Sequence, residues 1–220
     1  MNSQMQLYYF SGSPFAWRIQ LAFALKGIEY DAKLLQSSKQ EHKQPPFLQL
    51  NPRGKIPVLV DGEHVLRESL AILLYLDQKF SWHWFGDSPF LAGQIWQQLM
   101  EMESILVTSM VQFVRPIFFG GLPEKSDEVI AASEAIAHEL SLLDTQLKGR
   151  TWLVGDEITA ADVATYPLVK FIERAAGNPA IADMDISILP ICDRYPFLHN
   201  WVNTLEALPR VKDTYPPSWK

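Results

Sequence analysis

The chain has 220 residues, 48% apolar and 20% charged, with a formal net charge of −6. That composition supports a packed core and excludes a disordered chain, and an acidic balance without a basic block argues against nucleic acid as the main partner. No apolar run reaches the roughly 18–20 residues of a membrane span, and the single cysteine, Cys192, excludes an intrachain disulfide or a cysteine metal cluster.

In chain order, Met5 to Phe10 is a short apolar and aromatic run expected to form a buried strand. A helix follows, with Ser13 as N-cap, Pro14 at its first position and Gly27 just past its end. Phe15, Ile19, Ala22 and Phe23 fall on one face of it. Tyr30 to Leu35 predicts a second strand, and 36–49 an irregular stretch with a short helix. Val58 to Val60, Asp61-Gly62 and His64 to Leu66 predict a hairpin, and Ser69 opens a Leu-rich helix to about Phe80. The first domain is thus expected over 1–82, in the order β-α-β, loop, β-β-α. The aromatic, Pro-containing stretch 81–90 is expected to be a linker, and 90–220 an all-helical domain. There Phe90 to Phe119 forms one long segment, Ser126 caps a helix with core stripe Ile136, Leu140, Leu143 and Leu147, Thr159 opens another, and Tyr195-Pro196 a later one.

Ser13 stands between a strand and a helix, where unsatisfied N–H groups carry partial positive charge. A thiol held there ionises more easily, because only the thiolate is stabilised. The same Ser-Pro pair also makes a plain N-cap that needs no catalysis. Ile56-Pro57 precedes a strand: a cis bond would present backbone to a peptide ligand, whereas a trans proline would merely start the strand. At the next helix start, the Ser69 hydroxyl can receive a carboxylate and Glu68 an ammonium, or the pair can be a cap beside a solvated acid. Lys43 and Lys55 are possible carboxylate partners or surface lysines. Thr159-Ala160-Ala161-Asp162 has capping-box spacing and a structural role. Met110, Phe113 and Val114 lie on an apolar stripe that can line a pocket, although most of such a stripe is usually core. The five histidines form no H-E-x-x-H pattern.

Together these segments resemble the cytosolic glutathione transferase superfamily. Ser13-Pro14-Phe15, Arg18 and Ala24-Leu25-Lys26-Gly27-Ile28-Glu29-Tyr30 resemble the serine-type tau enzymes, and Asn51-Pro52-Arg53-Gly54-Lys55-Ile56-Pro57-Val58-Leu59 resembles the segment with the cis-proline. The resemblance implies an α+β protein: a thioredoxin-like N-terminal domain followed by an all-α C-terminal domain. It implies Ser13, or Ser11 with the alignment offset by two, as the residue that activates the glutathione thiol. It gives glutathione as cosubstrate to Lys43, Lys55, Ile56, Pro57, Glu68 and Ser69, and an apolar electrophile to Phe15, Met110, Phe113 and Val114. Phe15 stands where zeta-class isomerases carry cysteine, and no cysteine lies near Ser13 for a mixed disulfide. The implied activity is glutathione conjugation without a metal. A glutathione-dependent isomerase or dehalogenase and a non-catalytic carrier of apolar ligands are the other readings. A homodimer is implied, and the cytoplasm is the expected compartment, since the start Met1-Asn2-Ser3-Gln4 has no secretory-leader pattern.

Overall fold

The computed structural model describes residues 4–219. They divide into two compact units: 4–83 together with 208–219, and 84–207.

The first unit is built on strands β1 (Gln6–Tyr9), β2 (Asp31–Leu34), β3 (Val58–Asp61) and β4 (His64–Arg67), with helices α1 (Pro14–Lys26), α2 (Pro45–Leu50) and α3 (Ser69–Phe80). The sheet order is β2-β1-β3-β4. β1 runs parallel to β2 and antiparallel to β3, and β3 and β4 form the hairpin. Asp61 still pairs with His64, so the turn is Gly62-Glu63, one residue later than the sequence placed it. Helices α1 and α3 pack against each other, and Ile19, Ala22, Phe23, Ile72, Leu73 and Leu76 are buried. Gly27 ends α1 in the left-handed region, at φ 66°, with its N–H on the carbonyl of Ala24. A residue with a Cβ is strained in that conformation.

The hairpin and α3 are tied by Asp61, which accepts hydrogen bonds from the Tyr75 hydroxyl at 2.6 Å and from Lys79. Burial works to raise the Asp61 pKa, but the bonds from Lys79 and Tyr75 outweigh it and hold the carboxyl below its ordinary value. Its stabilising contribution is therefore complete above the unfolded carboxylate value and disappears as pH falls through the depressed folded one. Lys79→Met should lower stability at neutral pH by up to about 1 kcal/mol, the range for a partly exposed pair. It should also shrink the acid-dependent loss below about pH 4, which is where an unpaired Asp titrates. Urea midpoints at pH 7 and pH 3 test both; identical pH dependence in the two proteins would remove the Asp61–Lys79 tie.

The last segment of this unit was expected in the helical half. Instead the Trp17 indole N–H donates to Thr214 Oγ1 at 2.7 Å, and the Trp17 ring meets Tyr215 and Trp219 edge-on at 5.2 and 5.3 Å. Apolar rings on an otherwise polar tail need a partner, and α1 supplies it.

The second unit is helical: α4 (Pro89–Glu101), α5 (Val107–Phe119), α6 (Ser126–Gln146), α7 (Ala160–Ala176), α8 (Ile191–Arg194) and α9 (Pro196–Ala207). A single wide turn, Met102–Leu106, joins α4 to α5. The resulting helix, Pro89–Phe119, has 31 residues and a mean hydropathy of 1.2 in its most apolar stretch, so among the described residues one helix does reach membrane-spanning length and composition. It also carries Gln97, Gln98, Glu101, Glu103 and Arg115 and packs on α6 and α7, as a core helix does. The linker is shorter than expected, because Trp84 and Phe85 are already buried and the Trp84 carbonyl accepts from the Ala160 N–H at 2.9 Å.

Ser126 does not cap α6. It is the first helical residue, and its hydroxyl donates to the Pro123 carbonyl at 2.6 Å. The expected stripe Ile136, Leu140, Leu143 and Leu147 is buried. Thr159 and Asp162 form the capping box of α7. The start of α9 is capped from a distance: Asp144 Oδ1 accepts from the N–H groups of Phe197 and Leu198 at 2.7 and 2.9 Å. No local spacing announces that cap, because its acceptor lies on another helix.

Candidate active site

The register of the sheet collects the sequence-predicted residues. Tyr8 pairs with Val58 and Tyr9 with Leu34, while Val58 also pairs with Arg67. The chain therefore leaves β1 toward Ser13, leaves β2 toward Lys43, enters β3 from Ile56-Pro57 and leaves β4 toward Glu68-Ser69, all at one end of the sheet. Four segments separated in sequence become one rim.

On that rim Ser13 caps α1, with φ −75° and ψ 119°. Its Oγ accepts from the Ala16 N–H at 3.4 Å, and its own N–H donates to the Phe10 carbonyl at 3.3 Å. Capping uses an oxygen lone pair and leaves the hydroxyl proton to donate elsewhere. Both sequence readings of Ser13 are thus compatible. Ser11 is exposed in the preceding loop and caps no helix. Phe15 is half-buried, with the Arg18 guanidinium 5.1 Å from its ring centre.

Arg18 is the residue whose role the sequence did not reveal. It is 1% exposed, and its Nη1 donates to Ser69 Oγ at 2.9 Å. A buried cation thereby joins α1 to the start of α3 and orients the Ser69 hydroxyl. In the sequence it stands within the stretch that resembles the serine-type tau enzymes, with no role attached to it. Glu68, just before Ser69, is exposed and sits at φ 65° and ψ 117° with no side-chain capping bond. A non-glycine residue in such a conformation costs roughly 1–3 kcal/mol and is a mark of sites where geometry is imposed for function.

The Ile56-Pro57 bond is cis, as the resemblance implies. The loop before it is organised by Asn51, which is 2% exposed. Its side chain donates to the Lys55 carbonyl at 2.7 Å and accepts from the Arg53 N–H at 3.1 Å. Lys43, on the segment ahead of α2, reaches that loop and donates to the carbonyls of Arg53 and Gly54 at 3.3 and 3.1 Å. An ammonium has three donors, so one remains for a ligand. Gly54 allows this approach: a Cβ there would lie 2.8 Å from Lys43 Nζ, and its φ is 58°. Lys55 is exposed. His42 packs edge-on to Phe10 at 5.0 Å, and its buried Nδ1 has no hydrogen-bond partner among the described residues. Burial, with the Lys43 charge adding to it, holds His42 below its ordinary pKa.

In the second unit, Met110, Phe113 and Val114 are interior residues of α5, 1%, 0% and 5% exposed. Among the described residues no cluster of three or more His, Cys, Asp or Glu side chains is arranged to hold a metal.

Residues 3–78 match the family model for the glutathione S-transferase N-terminal domain, and residues 100–209 the model for the glutathione S-transferase C-terminal domain. Glutathione S-transferase 1 of Dianthus caryophyllus is 36% identical over 175 residues, covering 76% of this chain and 77% of that protein. The crystal structure of a glutathione S-transferase from the Antarctic clam Laternula elliptica superposes with a TM-score of 0.81 at 29% identity, over 99% of this chain and 94% of that one. Ure2p in complex with glutathione superposes with a TM-score of 0.84 at 20% identity, over 97% and 99%, a likeness of fold.

Proposed function

The chain belongs to the glutathione S-transferase family, and from that premise we propose that it joins glutathione, through its thiolate, to an apolar electrophile. The observation that carries the reading is the shared rim: Ser13, Lys43, Ile56-Pro57 and Glu68-Ser69 at one end of the sheet. Glutathione has two carboxylates, one ammonium and one thiol. The rim offers ammonium groups on Lys43 and Lys55, a hydroxyl on Ser69, a carboxylate on Glu68 and the donor end of α1, so the residues present fit it.

Glu68 and Ser69 take the glutamyl end, Lys43 with Lys55 the glycyl carboxylate, and the Ile56 backbone the cysteinyl backbone. Ser13 donates its hydroxyl proton in a hydrogen bond to the sulfur, and the N-terminus of α1 adds its partial positive charge. The thiol proton passes to solvent. The sulfur lone pair then forms the S–C bond, and for an aryl halide the halide departs with its bonding pair. The protein contributes proximity and electrostatic stabilisation. Phe15, beside Ser13, supplies apolar surface for the electrophile. A cytoplasmic homodimer belongs to the same proposal. Met100, Ile105 and Val111 are exposed apolar residues on the long helix of the second unit, surface that a second copy would cover.

Two measurements test this reading. Thiolate absorbance of bound glutathione against pH should give a pKa below the roughly 8.5 of a free thiol; binding with an unshifted thiol would mean a carrier. Calorimetry with Ser69→Ala should show binding weaker by roughly 1–3 kcal/mol, the cost of an unmet buried polar partner. The same variant should lose some stability, because Arg18 donates to that hydroxyl. Unchanged binding would take Ser69 out of the glutathione site.

A further inference from the structure

We propose that Trp219 is a positioning residue for Ser13, holding from the far end of the chain the turn that presents the serine, a role that rests on the conjugation reading above. The turn is weakly fixed by its own bonds. The Ser13 N–H reaches the Phe10 carbonyl at 3.3 Å, and Ser13 Oγ receives the Ala16 N–H at 3.4 Å, both near the long end for a hydrogen bond. Ser11 is exposed, and Gly12, directly before Ser13, sits at φ 82°. A glycine in an exposed turn has the widest choice of backbone conformations and does not by itself fix its neighbour.

The tail supplies that restraint at two points. The first is Gly12. A Cβ built there would lie 2.8 Å from Trp219 Nε1, 3.6 Å from its Cε2 and 3.8 Å from its Cδ1, so the indole edge lies against the glycine at a distance that no other residue type permits. The second is Trp17, whose N–H closes the first turn of α1 on the Ser13 carbonyl at 2.9 Å. The Trp17 ring is 1% exposed and meets Trp219 at 5.3 Å and 86°. Ser13 therefore stands between two residues that one indole ring holds.

The ring is itself held. Trp17, Tyr215 and Trp219 are each edge-on to the other two, with Tyr215 at 5.2 Å from Trp17 and 5.9 Å from Trp219. Edge-to-face contact is the arrangement that ring quadrupoles favour. The Trp17 indole N–H donates to Thr214 Oγ1 at 2.7 Å. Pro216 and Pro217 fix φ at two positions, and the Trp219 N–H closes the last turn on the Pro216 carbonyl at 2.9 Å. A tail stiffened in this way gives up less entropy on docking.

The groups assigned to the ends of glutathione are secured elsewhere. Lys43 is held by the carbonyls of Arg53 and Gly54, and Ser69 by Arg18. Loss of Trp219 should therefore spare glutathione binding and act on the thiolate. A donor moved by about 1 Å can cost on the order of a hundredfold in rate.

The full chain is compared with Trp219→Ala and Trp219→Phe. Trp219 is half-buried, and the alanine variant should keep wild-type circular dichroism. Its turnover with an aryl halide should fall about tenfold, with the calorimetric affinity for glutathione within about twofold of wild type. The pKa of the bound thiol should rise toward that in Ser13→Ala. Trp219→Phe keeps a ring against the loop and should recover most of the turnover and of the pKa. In a Ser13→Ala background, Trp219→Ala should cost nothing more, because it acts through the serine. An additive loss in that double variant would overturn the proposal, and so would a thiol pKa that Trp219→Ala leaves in place. Hydrogen exchange in the protein without glutathione adds a readout that needs no chemistry: the Ser13 and Trp17 amides should exchange faster in Trp219→Ala. Unchanged exchange would show that the tail does not hold the turn. Failure of the conjugation reading looks different, as an unshifted thiol in wild type, and the exchange result would still decide whether Trp219 positions Ser13.

Discussion

Ser13→Ala should lower turnover at neutral pH by about tenfold to a thousandfold while leaving glutathione binding nearly intact, the range for removing one donor aimed at developing charge. The hydroxyl plays two parts. Its oxygen caps α1 through a long 3.4 Å bond from Ala16, and its proton is available to the sulfur. A cap of that length puts the stability cost near the low end of the 0.5–2 kcal/mol span for N-caps. Activity should thus fall far more than stability does. The bound thiol should show a raised pKa, and the end of α1, still present, should keep some activity above background. Thiolate absorbance against pH, with an aryl halide assay, checks this for wild type, Ser13→Ala and Ser11→Ala. A shift in Ser11→Ala alone would move the role to Ser11. A shift in neither would leave the carrier reading.

Asp162→Ala should destabilise the protein by about 3–5 kcal/mol, because four buried donors lose their acceptor at once. Asp162 is fully buried, and its carboxylate is the acceptor for four donors. Oδ1 takes the Leu153 N–H at 2.9 Å and the Trp201 indole N–H at 2.8 Å. Oδ2 takes the Thr159 N–H and hydroxyl at 2.9 and 3.0 Å. Burial raises its pKa against the pull of those bonds. Alanine would leave buried donors unmet in a loop, a helix start and α9 at once. Asp162→Asn should fall between wild type and alanine: its oxygen can still serve Leu153 and Trp201, but its amide nitrogen would face the Thr159 donors. Denaturant midpoints give the order. A loss below about 1 kcal/mol in the alanine variant would mean that the capping box does not hold this unit together.

The spacing Thr159-x-x-Asp162 announced the cap in the sequence, because a capping box is local. Trp201, thirty-nine residues on, gave no sign that it shares the same carboxylate. The site divides in the same way. Ser-Pro at a helix start, Lys-Ile-Pro-Val before a strand and Glu-Ser before a helix are short-range patterns, and with the family resemblance they named the rim residues. Arg18 entered only as part of the resemblance, with no role of its own. Only the packing of α1 on α3 brings its guanidinium to Ser69.

By itself the sequence determined what depends on neighbours a few residues apart. The order of strands and helices, the caps at Ser13, Gly27 and Thr159, and the buried stripe of α6 all follow from periodicity and backbone chemistry within a turn or two. The tertiary structure decided whatever needs two distant segments to meet. The register from Tyr8 to Val58 to Arg67 gathers four loops into one rim. The Asp144 cap on α9 spans two helices. The aromatic tail at 215–219 goes back to Trp17, where burying its rings against α1 offsets the entropy of ordering it. Such contacts are fixed by the shape of the whole unit, which no local pattern encodes.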